Sequence, residues 1–140
     1  MLVGRYTNVM DPKGRVIIPS SFRDYLEPKF YFTKGLDKSL YFFSEKQFVS
    51  FVERLTAELP NSNEDYSEAY NHFVHYAVES EMDKQGRIII PPELRVYAQL
   101  EKDILFIGDT RKILAYNPTL YKDSDGDKVR RTMSEMRIVI

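Results

Sequence analysis

The hydrophobic positions of the chain include two short runs that are continuously apolar. Residues 16–18 and 88–90 contain only Val and Ile, and each run is followed directly by a proline, at Pro19 and Pro91. A strand with one solvated face would alternate apolar and polar residues, so both faces of these strands are expected to be covered. Proline ends a strand and suits the start of a helix, so a short helix is predicted after each run.

Helical periodicity appears after each run and in the segment between them. Phe22 with Leu26, and Leu94 with Ala98, lie four residues apart on the predicted short helices. In segment 44–77, two apolar stripes predict two helices, and a capping box from Ser44 to Gln47 opens the first. The first stripe is Phe48, Phe51, Val52, Leu55 and Leu59, and the second is Tyr66, Ala69, Tyr70, Phe73 and Ala77. Residues 60–63 separate them as a helix breaker.

The C-terminal quarter of the chain is less regular. Asn117 followed by Pro118 predicts the cap and first turn of a third helix. Residues 122–128 are rich in Asp, Ser, Gly and Lys and are interpreted as a solvated loop. The last residues carry no decisive pattern.

The two apolar runs belong to an internal repeat. Segments 10–23 and 82–95 align without gaps and share eight identical residues in fourteen. The likeness continues more weakly, so that each repeat spans about 45 residues. The predicted domains are a first repeat at 1–48, a helical insert at 49–76, a second repeat at 77–121 and a tail at 122–140. Because so small a unit has little core of its own, the two repeats are predicted to interleave.

Each repeat has a turn in front of its apolar strand. Aspartate at the first position and glycine at the fourth suit a type I turn. A type I turn followed by a left-handed glycine is typical of a β-hairpin with a bulge. Arg15 and Arg87, which follow the two glycines, are therefore predicted to open the second strand of a hairpin. The four turn residues are Asp11, Gly14, Asp83 and Gly86.

Charge is distributed unevenly along the chain. The 140 residues are 43% hydrophobic and 29% charged, which is an ordinary globular balance, and the nine Phe and ten Tyr are expected to dominate the core. The formal net charge of −1 alone argues against a nucleic-acid partner. However, residues 1–43 carry a net +3, residues 44–81 carry −6 and residues 82–140 carry +2. Two basic segments thus flank an acidic one.

Several classes of protein are disfavoured by what the sequence lacks. Without cysteine there are no disulfides, no thiol catalysis and no Cys-based zinc sites. No apolar run approaches the roughly 20 residues that span a bilayer, and the first residues do not resemble a signal peptide, so a cytoplasmic protein is expected. No nucleophile–base motif, phosphate loop or metal cluster is evident, so neither an enzyme nor a cofactor is expected. His72 and His75 have a spacing that metal ligands can use, but a solvated helix face is the preferred interpretation.

The repeated motif resembles a known DNA-binding element. Each copy resembles the AbrB-like swapped hairpin. It has Asp and Gly-Arg at turn spacing, followed by an apolar run, Pro and a short helix that ends in Arg. Two such elements in tandem, with Asp11 and Arg15 in one and Asp83 and Arg87 in the other, resemble the MraZ family over residues 1–121. The resemblance implies an α+β fold in which two swapped-hairpin units form an intertwined, pseudo-two-fold β core with flanking helices.

The resemblance also implies a function. It implies a DNA-binding transcription regulator of the division and cell-wall gene cluster, which binds short direct repeats at its own promoter. It implies a ring-like homo-oligomer associated with the nucleoid, with double-stranded DNA as partner and no membrane or small-molecule substrate. Nothing is transferred to the C-terminal tail.

Six cations are candidate DNA contacts. Arginine pairs with carboxylate, phosphate or guanine, so Arg15 and Arg87 either reach DNA or lock their own turns through Asp11 and Asp83. The arginines that recur at the ends of the short helices either face DNA or cap those helices. The two cations on or beside the first hairpin suit phosphate contacts or are simply solvated. The full set is Arg5, Lys13, Arg15, Arg23, Arg87 and Arg95.

Two functions from different classes fit these observations. The paired basic motifs favour a sequence-specific DNA-binding regulator. The weak net charge and the acidic insert favour an antitoxin-like or assembly module that interacts with proteins and has no specific DNA readout. Since one chain presents few cations, a DNA-binding oligomer that engages several short repeats together is expected to bind more tightly than one chain.

Overall fold

The computed structural model describes residues 1–58 and 64–140. Within these residues the chain forms a six-stranded antiparallel sheet, a two-stranded antiparallel ribbon and five α-helices. The predicted α+β class is therefore confirmed. None of the helices in the described segments combines the length and the apolar character that crossing a lipid bilayer requires.

The helices and strands follow the repeat. The first repeat contributes β1 (Arg5–Val9), β2 (Arg15–Ile17), α1 (Ser20–Leu26), β3 (Phe30–Lys34) and β4 (Leu40–Ser44). Next come α2 (Glu45–Glu58), α3 (Glu64–Tyr70) and a π-helical turn (Asn71–His75). The second repeat contributes β5 (Val78–Ser80), β6 (Arg87–Ile89), α4 (Pro92–Tyr97), β7 (Asp103–Asp109) and β8 (Lys112–Tyr116). Helix α5 (Gly126–Glu135) follows.

Strands of the two repeats interleave in the sheet, whose order is β1-β7-β8-β4-β3-β5. The first strand of each repeat pairs with the third strand of the other, as β1 with β7 and β5 with β3. The fourth strands, β4 and β8, pair at the centre. Exchanging the repeats maps this order onto itself, so the sheet has a pseudo-two-fold axis between β4 and β8. Strands β2 and β6 pair with each other as the separate ribbon.

The hairpin expected within each repeat does not form as a paired ladder. The turn is present, because the Gly14 N–H donates to the Asp11 carbonyl at 3.0 Å, and the second repeat matches it. However, β1 pairs with β7 and not with β2. The prediction that Arg15 and Arg87 open the second strand of a hairpin is wrong in this respect, since the strands they open pair across the repeats. Strand β1 pairs with β7 over five residues, whereas β2 is only three residues long and would offer β1 fewer hydrogen bonds.

One apolar core lies between the sheet and the ribbon. It is built from alternate residues of the central strands, the inward residues of the ribbon, and the inward faces of α1 and α4. Its largest buried members are Phe22, Phe30, Phe32, Phe42, Phe106, Ile18, Leu26, Leu40, Ile90, Leu94, Ile104 and Ile113. The rings of Phe32 and Phe42 stack with their centroids 4.9 Å apart. Aromatic residues thus form the centre of the core, as composition predicts.

Helix α2 lies on the other face of the sheet. Tyr31 stacks on Phe48 of α2 with ring centroids 4.7 Å apart, and the ring of Phe43 contacts Phe48 at a tilt, with centroids 5.7 Å apart. The helix begins as predicted, because the Ser44 hydroxyl accepts a hydrogen bond from the Gln47 N–H at 3.2 Å. Side chains of a strand alternate between the two faces of a sheet. The ribbon and α2 are therefore on opposite sides of the sheet.

The structure departs from the sequence predictions near the C-terminus. The predicted third helix is a single turn, in which the Leu120 N–H donates to the Asn117 carbonyl at 2.9 Å. The predicted loop at 122–128 ends early, because α5 begins at Gly126 with Asp125 as its cap. Here local capping by the Asp125 carboxylate outweighs the polar composition. The predicted stripe residue Leu59 and the breaker at 60–63 lie outside the described residues.

Candidate nucleic-acid interface

The ribbon of β2 and β6 presents four side chains to solvent. Arg15 lies opposite Ile89, and Ile17 lies opposite Arg87. In an antiparallel pair, opposed residues point to the same face, and so do residues two apart on one strand. All four side chains therefore share one face, which we call the ribbon face.

The ribbon face shows that only one side of each apolar strand is covered. Val16 and Ile88 are buried on the inner side of the ribbon, whereas Ile17 and Ile89 are 43% and 60% exposed. The prediction that both faces of residues 16–18 and 88–90 are covered is wrong. The ribbon is the outer layer of the chain's fold, so the core can cover only its inner side.

Each arginine of the ribbon face is tied to the aspartate of its own turn. Arg15 Nε donates to Asp11 Oδ2 at 2.6 Å, and Arg87 Nε donates to Asp83 Oδ2 at 2.7 Å. The other oxygen of Asp11 accepts the backbone N–H groups of Lys13 and Arg15, both at 2.9 Å. Each aspartate thus binds Nε of its arginine. The outer edge of the guanidinium, formed by Nη1 and Nη2, stays available on a side chain that is nearly half exposed. That edge has the geometry to engage guanine or phosphate.

The electrostatics of the turns keep these pairs charged. Hydrogen bonds from the Arg15 backbone and then from its guanidinium hold the pKa of Asp11 below the ordinary value of 3.8. Arg87 lowers the pKa of Asp83 in the same way. Both carboxylates are therefore ionised at neutral pH, and both arginines are held in a fixed direction.

The two turn glycines pack against the opposite repeat. Gly14 and Gly86 have φ of +86° and +81°, in the left-handed region that glycine tolerates. Their carbonyls accept the N–H groups of Ile90 and Ile18, at 2.9 and 2.8 Å. A Cβ at Gly14 would lie 2.7 Å from the Ile90 carbonyl oxygen, and one at Gly86 would lie 2.5 Å from Arg23 Nε. The glycines thus allow each turn to join the ribbon.

Arg23 and Arg95 brace the turns. Arg23 Nε donates to the Ile18 carbonyl at 3.0 Å, and the guanidinium lies over Gly86. Arg95 Nη1 donates to the Pro12 carbonyl at 3.4 Å in the other turn. Both side chains are partly buried, and Arg95 Nε has no hydrogen-bond partner within residues 1–58 and 64–140. The structure thus gives each arginine a third role, which is to support the turn of the opposite repeat.

Lysines lie in both turns beside the ribbon face. Lys13 is in the first turn and Lys84 in the second, and both are exposed. Sequence reasoning selected Lys13 and missed Lys84, because the repeat alignment places Pro12 and not a cation at the matching position. The signal that would have found Lys84 is its place in the turn.

Arg5 does not join the ribbon face. It lies opposite Ile107 in the β1–β7 pair, while its neighbour Tyr6 makes an edge contact with Phe22 in the core, at 5.3 Å between ring centroids. Arg5 therefore points away from the core and the ribbon. Its guanidinium bonds Asp123 at 3.1 Å and lies 5.1 Å from the ring centroid of Tyr121.

The two histidines have separate partners. His72 Nε2 lies 2.8 Å from the Gly35 carbonyl oxygen, and His75 Nδ1 lies 3.2 Å from Asn71 Oδ1. In the part of the chain that the structure describes, no three His, Asp or Glu side chains come together in a way that could hold a metal ion.

Comparison with known proteins identifies the family of the chain. The sequence model of a family described as "MraZ protein, putative antitoxin-like" matches residues 1–69 and 73–127. A protein named transcriptional regulator MraZ from Caldanaerobacter subterraneus subsp. tengcongensis is 42% identical over 123 residues, which cover 88% of this chain and 85% of the relative. A protein of the same name from Caldicellulosiruptor saccharolyticus is 39% identical over 144 aligned positions, covering 99% of this chain and all (100%) of the relative. The chain belongs to the MraZ family.

Proposed function

We propose that this protein is a transcription regulator that binds double-stranded DNA through the ribbon face. The observation that carries the proposal is the pair Arg15 and Arg87, each held through Nε with its outer edge exposed on one ribbon. The major groove of B-DNA admits a two-stranded β-ribbon, and arginine is the commonest reader of guanine there. The names of the relatives, transcriptional regulators, support the same function.

The spacing of the two arginines suits a short site. They stand two residues apart along the ribbon and one strand apart across it. With a rise of about 3.3 Å per residue and strands about 4.8 Å apart, their Cα atoms are separated by roughly 8 Å. This is between two and three base steps of about 3.4 Å. One ribbon would therefore read only a few base pairs.

Charge around the ribbon face supports this orientation. Lys13 and Lys84 flank the arginines in the turns, while the aspartates of the turns are already paired. The acidic residues of α2 belong to the opposite side of the sheet, although Glu81 lines a groove beside Arg15 and Arg87. The polyanion would thus approach the side of the molecule that carries the unpaired cationic edges.

The finer assignments extend the same proposal. We assign the interleaved repeats to the AbrB-like swapped-hairpin type, supported by the exchange of first strands between repeats. The target is a set of short direct repeats at the protein's own promoter in the division and cell-wall cluster. Since one ribbon carries few cations, a nucleoid-associated homo-oligomer, arranged as a ring, supplies affinity by engaging several repeats.

Replacing the arginines tests the proposal directly. Arg15→Ala and Arg87→Ala are each expected to weaken DNA binding by about 1–3 kcal/mol, because each removes one bidentate base contact. Affinity is measured by gel retardation on the DNA upstream of the protein's own gene. Lys46→Ala, which removes an exposed cation from α2, is the matched control and should bind as the parent does.

A thermal melt of the same samples separates binding from folding. If the arginines serve only to lock their turns, affinity should fall only as far as stability falls. Unchanged affinity in both arginine variants, with intact folding, would remove the ribbon face from the site.

A second function is favoured by the acidic insert and by the antitoxin-like family description. In this alternative the chain is a protein-interaction module whose ribbon is only scaffold. Retardation of the upstream DNA in the presence of excess random DNA distinguishes the two. Equal competition by random DNA would favour the interaction module.

A further inference from the structure

We propose that Ile17 and Ile89 read thymine methyl groups beside the bases that Arg15 and Arg87 contact. This inference rests on the proposed DNA binding and adds a specificity determinant to it. The motivating observation is the exposure of two isoleucines, 43% and 60%, at the ends of the two strands of a ribbon whose other side is packed on the core.

The position of the isoleucines fits this role. Ile89 is directly opposite Arg15, and Ile17 is directly opposite Arg87. Opposed Cβ atoms in an antiparallel pair are about 5 Å apart, so an apolar side chain accompanies each arginine within the reach of neighbouring bases. The two Arg–Ile pairs are related by the pseudo-two-fold axis that passes between Val16 and Ile88.

The chemistry of the groove leaves one apolar partner. Base edges in the major groove display hydrogen-bond donors and acceptors, and the C5-methyl of thymine is the apolar group among them. An exposed isoleucine that approaches a thymine would bury this methyl, while approach to the amino group of cytosine would leave that donor unpaired. Arginine prefers guanine, so each end of the ribbon would favour a guanine with a thymine nearby.

Charge complementarity favours DNA over a second copy of the chain as the occupant of this face. The isoleucines are framed by two guanidinium edges and by the lysines of the two turns, Lys13 and Lys84. A protein surface that covered the isoleucines would also have to neutralise this cationic frame. Two acidic residues line the groove beside this face, Glu81 and Asp83, and Asp83 is already paired with Arg87.

The test begins with a duplex that the protein itself selects. Binding sequences are enriched from a random duplex pool, and the tightest duplex is resynthesised with deoxyuridine at one thymine at a time. Removing a methyl that contacts isoleucine should weaken binding about fourfold, and other thymines should show no change. If every deoxyuridine duplex binds as tightly as its parent, the methyl readout is overturned while DNA binding stands.

Two variants assign the effect to the isoleucines. In Ile17→Ala with Ile89→Ala, the deoxyuridine penalty should disappear, whereas Val49→Ala, an exposed aliphatic residue of α2, should keep it. A penalty that persists in the double variant would overturn the assignment. So would a change in sedimentation of the double variant without DNA, because the isoleucines would then form a subunit contact. Failure to enrich any sequence would instead overturn the proposed function.

Discussion

The direction of each arginine of the ribbon face is set by a single aspartate. One oxygen of Asp11 accepts a hydrogen bond from Arg15 Nε, and the other accepts the backbone N–H groups of its turn. Asp11 therefore fixes both the Arg15 side chain and the start of its strand. The two roles that the sequence left open for Arg15, turn lock and DNA contact, are therefore compatible in one geometry. The exposure of Ile17 was not predictable, because periodicity alone cannot show whether a second layer covers a strand.

Acid titration tests how much the turn aspartates contribute to the stability of the fold. Because the pKa of Asp11 and Asp83 is lowered in the folded protein, their contribution to stability is present above about pH 4 and is lost as pH falls through the lowered values. The parent should therefore be more stable than Asp11→Asn at pH 7, with the difference closing toward pH 2. Denaturant unfolding at a series of pH values measures this. Asp24→Asn on α1 is the control, and an equal pH response in both variants would contradict the prediction.

The turns are the elements that join the ribbon to the other repeat. Gly14→Ala is expected to destabilise the fold by about 1–3 kcal/mol, because it strains a left-handed residue and drives a Cβ into the backbone of Ile90. Gly86→Ala should cost less, since its Cβ meets the side chain of Arg23, which can move. Gly126→Ala meets nothing within 4 Å and is the control. Equal melting temperatures for the three variants would contradict this account.

Most elements of the fold follow from local sequence, but their partners do not. The short helices after Pro19 and Pro91 and the capped start of α2 are local signals, and the structure contains all of them. The strand that β1 pairs with is chosen by distant residues of β7, so the turn alone suggested the wrong neighbour. For the same reason sequence placed Arg5 beside the interface, whereas the β1–β7 register turns it away.

At the scale of the whole molecule, each repeat lacks the partner of its own first strand, although β3 pairs with β4 and β7 with β8 within a repeat. Strands β1 and β3 each lose the strand of the second repeat that pairs with them when residues 1–48 are expressed alone. This fragment should therefore be unfolded as a monomer or folded only as a dimer in which a second copy replaces the missing repeat. Circular dichroism with sedimentation distinguishes these states. A stable folded monomer would contradict the interleaved account.

Salt dependence tests DNA binding by the whole molecule. Although the net charge is −1, binding should weaken with salt, because the cations that we propose face DNA would release counterions from it. Two phosphate contacts, from Lys13 and Lys84, give a log–log slope of about −1.8 for one ribbon, because Arg15 and Arg87 are assigned to guanine. The slope should steepen as repeats are added to the probe. A flat response, or one independent of repeat number, would argue against multivalent reading.

Interleaving also delays strand pairing during synthesis, because the two strands of a pair leave the ribosome at different times. Strand β1 is complete at Val9, but its partner β7 begins at Asp103 and emerges roughly 90 residues later. At about 5–20 residues per second, β1 waits some 5–20 s for the strand that pairs with it. During this interval, two nascent chains on neighbouring ribosomes of one messenger RNA both expose a first repeat, and each could pair with the other in place of its own second repeat. Pairing within one chain therefore competes with pairing between chains, and slow translation of the second half would shift the balance toward the latter.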